Sequence, residues 1–123
     1  MQVSHYQAMQ YHPTQPCFEL VADVYARERK ALHIGYTPQD RSVRATADAF
    51  RLAVHHNQNG FHCVADPADY AIVLLGKNTR IGIHHCGVYY QGGVLHALPG
   101  ITLYQPMSVI RDQWALIEFW AQP

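Results

Sequence analysis

The spacing of the apolar residues changes partway along this chain, and that change restricts its fold more than any other feature. From Cys17 to about Lys30, apolar side chains recur at the i, i+3 and i+4 positions of one helical face. The second half instead contains short apolar runs, rich in β-branched and aromatic residues, between glycines and prolines. Helices followed by antiparallel strands indicate an α+β fold, with the helices packed on a sheet.

A length of 123 residues suits one domain, so we expect residues 1–123 to form a single unit. Hydrophobic residues make up 49% of the chain and charged residues only 15%, which is enough apolar content for a buried core. A second helix is predicted around Val43, Ala47, Phe50 and Val54. The predicted strands are Tyr70–Leu75, Ile81–Tyr90, Val94–Ala97, Ile101–Tyr104 and Trp114–Trp120.

The charge and hydropathy patterns argue against several classes of partner. Nine Lys and Arg balance nine Asp and Glu without clustering, so we expect no nucleic-acid partner. The longest apolar run, Tyr70–Leu75, is far shorter than the roughly 18 residues of a membrane span, so we expect no membrane partner. Met1–Gln10 lacks the charged and apolar regions of a secretory signal, which predicts synthesis in the cytoplasm.

Cysteine and histidine are the residue types that point to chemistry. Cys17, Cys63 and Cys86 are odd in number and widely spaced, which predicts at least one free thiol rather than a disulfide framework. Nine histidines raise two possibilities, metal binding and imidazole-assisted catalysis. His84-His85-Cys86 and His62-Cys63 do not match the ligand pairs typical of zinc sites, so we expect no metal or other cofactor.

Cys17 is the candidate nucleophile because it is predicted to lie in the first turn of a helix. Thr14 is a suitable N-cap, and Pro16 suits the first turn because it lacks an N–H group. The unpaired N–H groups and the positive end of the helix dipole favour a thiolate there. A cysteine at a helix start is more often a packing residue, so the assignment needs an imidazole partner.

His85 and His96 are the candidate partners, on two predicted strands joined by a turn at Gln91-Gly92-Gly93. A thiolate nucleophile needs an imidazole, and that imidazole needs a further group to orient it. If the two glycines form the loop, His96 lies opposite Tyr89, about 13 Å along the strand from His85. Strand twist, a bulge near Gly87 or a different strand pairing would then have to bring the imidazoles together.

Three segments combine these residues: Cys17-Phe18-Glu19-Leu20-Val21 running on to Val24-Tyr25, His85-Cys86-Gly87-Val88-Tyr89, and Gly92-Gly93-Val94-Leu95-His96-Ala97. Together they resemble the NlpC-type cell-wall cysteine peptidases, a branch of the papain-like superfamily. The resemblance implies a papain-like fold with N-terminal helices on an antiparallel sheet. It also implies that Cys17 attacks an amide carbonyl, that His85 is the base and that His96 orients it. An upstream tyrosine often helps to form the oxyanion site in this family; Tyr6 is the candidate and Tyr11 its rival.

The same resemblance implies a cysteine endopeptidase or amidase that hydrolyses peptidoglycan stem peptides, at a linkage of the D-glutamyl-diaminopimelate type. Ala49 and Phe50, on the second predicted helix, look similar to the phage-tail members. Phage tail proteins are therefore expected partners, with the chain virion-associated or delivered to the cell wall. Pro16 stands where members commonly have Asp, and Asp69-Tyr70 where they have Gly-Asp. These departures support an alternative, a structural or assembly protein of a phage tail tip with little or no activity.

Overall fold

The structure is a computed structural model that describes residues 1–11, 16–32 and 60–123. These residues form a six-stranded antiparallel sheet with helices on its two faces, which confirms the α+β prediction. The strands lie in the order β1-β6-β2-β3-β4-β5. In chain order the elements are α1 (Val3–Gln7), α2 (Pro16–Glu28), β1 (His62–Val64), β2 (Ile72–Gly76), β3 (His85–Tyr90), β4 (Gly93–Leu98), β5 (Ile101–Pro106), α3 (Met107–Gln113) and β6 (Leu116–Ala121).

The first predicted helix and all five predicted strands are present, with different boundaries. The largest change is at β3, which begins at His85 rather than at Ile81. The residues before it form a closed turn, in which Asn78 Oδ1 accepts from Ile81 N at 2.8 Å and Asn78 O accepts from Gly82 N at 3.0 Å. The sequence did not predict α1, α3 or β1. The second predicted helix and the Thr14 cap lie outside the described residues.

Two apolar cores lie on opposite faces of the sheet because successive strand side chains alternate in direction. On one face α1 and α2 pack against strand residues such as Leu74, Val88 and Leu95. On the other face α3 packs over a second set, which includes Val73 and Val94. The helix α2 contacts both β3 and β4, which hold it against the sheet.

The β3–β4 hairpin determines the spacing of the two candidate histidines. Tyr90 pairs with Gly93, so the turn is Gln91-Gly92, whose residues have φ of 46° and 82°. The two glycines therefore do not form the loop, and the register differs by two residues from the one that such a loop would give. Of the three alternatives considered above, a different strand pairing is the one observed. Continued along the hairpin, the observed register places His96 opposite Gly87 and close to the start of β3.

Tertiary contacts explain this register. A Cβ on Gly93 would lie 2.7 Å from the Tyr104 ring, so Gly93 stays in β4 with that ring packed on it. Asp69 Oδ1 accepts a 2.9 Å hydrogen bond from Gln91 N. The Tyr104 hydroxyl donates to Tyr90 O at 2.6 Å and lies 3.2 Å from Gln91 O. These contacts hold Gln91 in the left-handed region, which residues other than glycine rarely adopt.

Candidate active site

Cys17 lies in the first turn of α2, as predicted, and α2 places it against the start of β3. Three groups adjoin its sulfur and favour the thiolate: the Cys86 side chain, the His85 side chain and the Cys86 backbone N–H. Within residues 60–123 the pairing of β3 with β4 runs only from Val88 to Tyr90. Cys86 therefore lies outside the paired part of that ladder, and its N–H serves the Cys17 sulfur instead.

His85 and His96 are in direct contact, with His85 Nε2 and His96 Nδ1 2.8 Å apart. Their rings meet edge to face, with centroids 5.0 Å apart. Since His85 uses Nε2 for this contact, its Nδ1 is the ring nitrogen left for Cys17. The structure thus brings together Cys17, His85 and His96, three of the four predicted site residues.

Gln105, on β5, determines the proton positions along this series of contacts. Its Oε1 lies 2.7 Å from His96 Nε2, and a carbonyl oxygen only accepts, so His96 Nε2 carries the proton. The Nδ1 of neutral His96 then accepts from His85 Nε2–H. Proton transfer to and from the thiol is thereby confined to His85 Nδ1.

Gly87 explains how the two imidazoles come so close. A Cβ on Gly87 would lie 2.6 Å from Leu95 O and 2.9 Å from the His96 Cβ. A real side chain does not fit at such distances, so the absence of one allows β4 to approach β3 at this point. The glycine of the His-Cys-Gly segment thus has a steric function beside the site.

Trp114 directly follows α3 and packs against one face of the His85 ring. The two rings are stacked, with centroids 5.1 Å apart and planes 10° apart. Lys77 Nζ lies 4.1 Å from the centroid of the Trp114 ring, a cation–π contact. The Trp114 indole N–H is buried and has no hydrogen-bond partner among the described residues. The stack restricts the rotation of His85 without taking either of its ring nitrogens.

The pKa shifts at the site follow from these contacts. The pKa of Cys17 lies well below its ordinary value, chiefly because Cys86 donates a hydrogen bond to its sulfur, with further lowering by the hydrogen bond and charge of His85. Burial opposes this shift. Burial raises the pKa of Cys86, and the neighbouring Cys17 thiolate raises it further. Burial, with the charge of His85, lowers the pKa of His96 to about 4. These shifts favour the thiolate form of Cys17 and the neutral form of His96.

The structure does not place the Tyr6 hydroxyl at the thiol. That hydroxyl donates to Glu28 Oε1 at 3.1 Å, and Glu28 ends α2, about 16 Å of helix beyond Cys17. Its rival Tyr11 donates to Asp23 Oδ2 at 2.8 Å, also farther along α2. Because carboxylates hold both hydroxyls, neither is directed at the nucleophile, and the expected oxyanion role of Tyr6 has no geometric support here.

The residues considered for metal binding are dispersed. His62 and Cys63 are exposed on β1 at the edge of the sheet. His84 Nε2 accepts from the Lys77 backbone N–H at 3.2 Å. Within residues 1–11, 16–32 and 60–123, no group of three or more His, Cys, Asp or Glu side chains is placed to hold a metal ion. In the same residues no helix is long and apolar enough to cross a membrane.

Sequence reasoning missed three residues that contact the predicted ones: Cys86, Gln105 and Trp114. Cys86 directly follows His85, but it is not at a helix start, so nothing in the sequence marks its thiol as a partner of Cys17. Gln105 is diagonal to His96 across the β4–β5 pairing, which could be found only once that register was known. Trp114 had no sequence signal linking it to His85.

The chain matches no family model, no curated protein and no solved structure in the three comparisons made.

Proposed function

We propose that this chain is a cysteine endopeptidase or amidase of the NlpC type, with a papain-like arrangement of helix and sheet. The observation that carries the proposal is the contact series from Cys17 through His85 to His96. These side chains are far apart in the sequence, yet they meet at one end of β3 with the proton positions that thiol catalysis needs. The resemblance in the sequence supports the same assignment independently of the contacts.

In the proposed first step, the Cys17 thiolate attacks an amide carbonyl carbon and a C–S bond forms. The carbonyl oxygen becomes an oxyanion, and N–H groups in the first turn of α2 donate to it. The Cys86 N–H, which solvates the thiolate, is released as the sulfur loses its charge. His85 Nδ1 then transfers its proton to the amine nitrogen, and the C–N bond breaks.

The acyl-enzyme is resolved by water. His85 Nδ1, now deprotonated, accepts a proton from the attacking water, and the carboxylate product leaves as the Cys17 thiolate re-forms. His96 acts through its hydrogen bond to His85, which keeps Nδ1 directed at the sulfur. Gln105 has the corresponding effect on His96, and Trp114 holds the ring plane of His85.

The proposed substrate is the peptidoglycan stem peptide, cleaved at a D-glutamyl-diaminopimelate type of linkage. This assignment comes from the resemblance of the three sequence segments. Phage tail proteins are the proposed partners, because the stretch with Ala49 and Phe50 looks similar to the phage-tail members of that family.

Digestion of purified sacculi tests this function directly. We expect the wild-type chain to release new amino termini and shortened stem peptides, identified by mass. Cys17→Ala should release none while keeping the folded state, since the substitution removes only the sulfur. Cys63→Ser is the matched control, because Cys63 is exposed on β1 and should not affect turnover. Equal digestion by the Cys17→Ala variant would contradict the proposal.

A second function is favoured by one observation, the proline at position 16. It occupies the place of the Asp that commonly precedes the cysteine in the NlpC-type family, and it is buried. A structural protein of a phage tail tip would keep the fold while lacking that carboxylate. Such a protein would leave sacculi intact.

A further inference from the structure

Cys86 is a second thiol in contact with the proposed nucleophile. The two side chains belong to one buried cluster between α2 and the sheet, and the Cys86 side chain donates a hydrogen bond to the Cys17 sulfur. Both cysteines are free. Besides lowering the pKa of Cys17, this second thiol supplies a sulfur that can react with the Cys17 sulfur.

The two thiols differ in the properties that decide their reactivity toward oxidants. Cys17 is 6% exposed and Cys86 is 1% exposed, so a small oxidant reaches Cys17 first. The pKa of Cys17 is lowered and that of Cys86 is raised, so Cys17 is the thiolate of the pair and Cys86 the thiol. Thiolates are the species that react with peroxides. The pair therefore has one attacking sulfur and one resolving sulfur.

We propose that hydrogen peroxide converts Cys17 and Cys86 into a reversible disulfide, which makes this pair an oxidative modification site. The formation of the disulfide does not depend on the proposed peptidase activity. Its consequence does rest on the proposed function: the modified chain has no nucleophile, and a dithiol reductant restores it.

The disulfide forms in two steps. The Cys17 thiolate attacks one oxygen of hydrogen peroxide; an S–O bond forms, the O–O bond breaks, and hydroxide leaves with Cys17 oxidised to the sulfenic acid. The Cys86 sulfur then attacks the Cys17 sulfur. An S–S bond forms, the S–O bond breaks, and the departing hydroxide takes the Cys86 proton to give water. Overall, peroxide is reduced to water while two thiols become one disulfide.

Cys63 is excluded as a partner within one chain by the order of the strands. It lies on β1, and both β6 and β2 stand between β1 and β3. Three strand spacings amount to about 14 Å, which is too far for a bond between Cys63 and Cys86. Cys63 is also exposed, so it serves as a built-in reference thiol.

Peptide mapping tests the proposal without any activity assay. Trypsin places the three cysteines on separate peptides, covering residues 1–27, 52–77 and 81–111. The folded chain is treated with a slight excess of hydrogen peroxide, unfolded, alkylated with iodoacetamide and digested. We expect a linked species of peptides 1–27 and 81–111, with an alkyl group on peptide 52–77, and loss of the link after treatment with dithiothreitol. Sulfinic acid on Cys17 without any such link would overturn the proposal, as would a link that includes Cys63.

Variants of Cys86 test whether this thiol is what protects Cys17 from oxidation beyond the sulfenic acid. In Cys86→Ala, and in Cys86→Ser as a second variant in case the first fails to fold, we expect Cys17 to proceed to sulfinic acid that dithiothreitol does not reverse. Cys63→Ser should form the same link as the wild-type chain. Reversible protection of Cys17 in both Cys86 variants would contradict the role of Cys86. A chain that forms the link but does not digest sacculi would refute the proposed peptidase and leave the modification site intact.

Discussion

A thiol at the start of α2 and two phenols farther along it have pKa values that are shifted in opposite directions. At its start the pKa of the Cys17 thiol is lowered, chiefly by the hydrogen bond from Cys86, and by His85 as well. At its other end the pKa values of the Tyr6 and Tyr11 phenols are raised by burial and by carboxylate partners. That end also holds a cavity of about 250 Å³, lined by Gln2, His5, Tyr6, Arg27 and Glu28.

The difference shows that burial alone does not decide reactivity. All three side chains are at least partly buried, and burial opposes ionisation in each of them. The chief partner of the thiol is a hydrogen-bond donor, so the thiol is favoured as an anion. The hydrogen-bond partners of the phenols are carboxylates, and the nearby cation Arg27 does not reverse their effect. A carboxylate that accepts from a phenol stabilises the phenol and suppresses ionisation. The start of α2 is therefore the reactive end, and the other end is structural.

Among substitutions around Cys17 that leave the sulfur in place, the largest effect is expected from His96→Ala, which removes the acceptor that orients His85. Without it, His85 can rotate and present the wrong nitrogen to Cys17. Loss of the orienting group of a catalytic triad typically costs on the order of 10³ to 10⁴ in turnover, so we expect at least a thousandfold loss with muropeptide substrates. His62→Ala, on the exposed strand β1, is the control. A loss of less than about tenfold in His96→Ala would show that His96 does not orient His85.

Acidification should weaken the fold through the same histidine. The pKa of His96 is about 4 in the folded chain and about 6.5 when unfolded, so only the unfolded chain takes up this proton in between. The contribution of neutral His96 to the free energy of unfolding is therefore fully present above pH 6.5. It is lost as the pH falls toward 4, which lowers the free energy of unfolding by up to about 3 kcal/mol. Urea unfolding followed by tryptophan fluorescence at pH 7 and pH 4.5 measures the loss. His96→Leu should show a flatter pH dependence; an unchanged slope would assign the effect to other groups.

Gly87→Ala should separate the two imidazoles. The added methyl group meets backbone and side-chain atoms of β4, and overpacking of this kind costs about 1 to 3 kcal/mol. Gly100→Ala is the control, because it has open space but a φ of 82°, so it should lose roughly 1 kcal/mol without moving the site. We expect Gly87→Ala to slow alkylation of Cys17 at pH 6 and Gly100→Ala to leave that rate unchanged. Equal rates in both variants would contradict the role given to Gly87.

The smallest effect is expected at the structural end of α2, from Tyr6→Phe. The variant loses one hydrogen bond to Glu28, which should cost about 1 kcal/mol in urea unfolding. Turnover should remain within about twofold, because the hydroxyl lies far along α2 from Cys17. A turnover loss of a hundredfold or more would restore Tyr6 as an oxyanion donor and remove the contrast between the two ends.

Much of this site could be read from the sequence because its signals are local. The helix start at Cys17 follows from the apolar spacing and Pro16, and the two histidines follow from the segments around the turn. The spacing of those histidines could not be read, because it depends on a register set by distant contacts. Gln91 adopts its positive φ only because Asp69 and Tyr104 hold it.

The missed partners have the same physical origin. Alternation along β3 indicates that Cys86 and His85 point to opposite faces, so it gives no reason to expect both at one sulfur. They meet there because α2 delivers Cys17 to the very start of the strand, beside both side chains. Helix α3 could not be predicted because it has only seven residues. The stack of Trp114 on His85 could not be predicted either, because it joins residues from distant parts of the chain.

The pH dependence of alkylation at Cys17 tests the central claim most directly. The intact chain is treated briefly with iodoacetamide at a series of pH values from 5 to 9, and modification of the peptide covering residues 1–27 is measured by mass. If Cys17 is an ionised thiolate beside His85, its rate should be nearly constant from pH 6 to pH 9, unlike that of an ordinary cysteine thiol, whose pKa is about 8.5. A Cys17 rate that rises about tenfold per pH unit from pH 5 to pH 8, as the rate of an ordinary thiol does, would contradict the account.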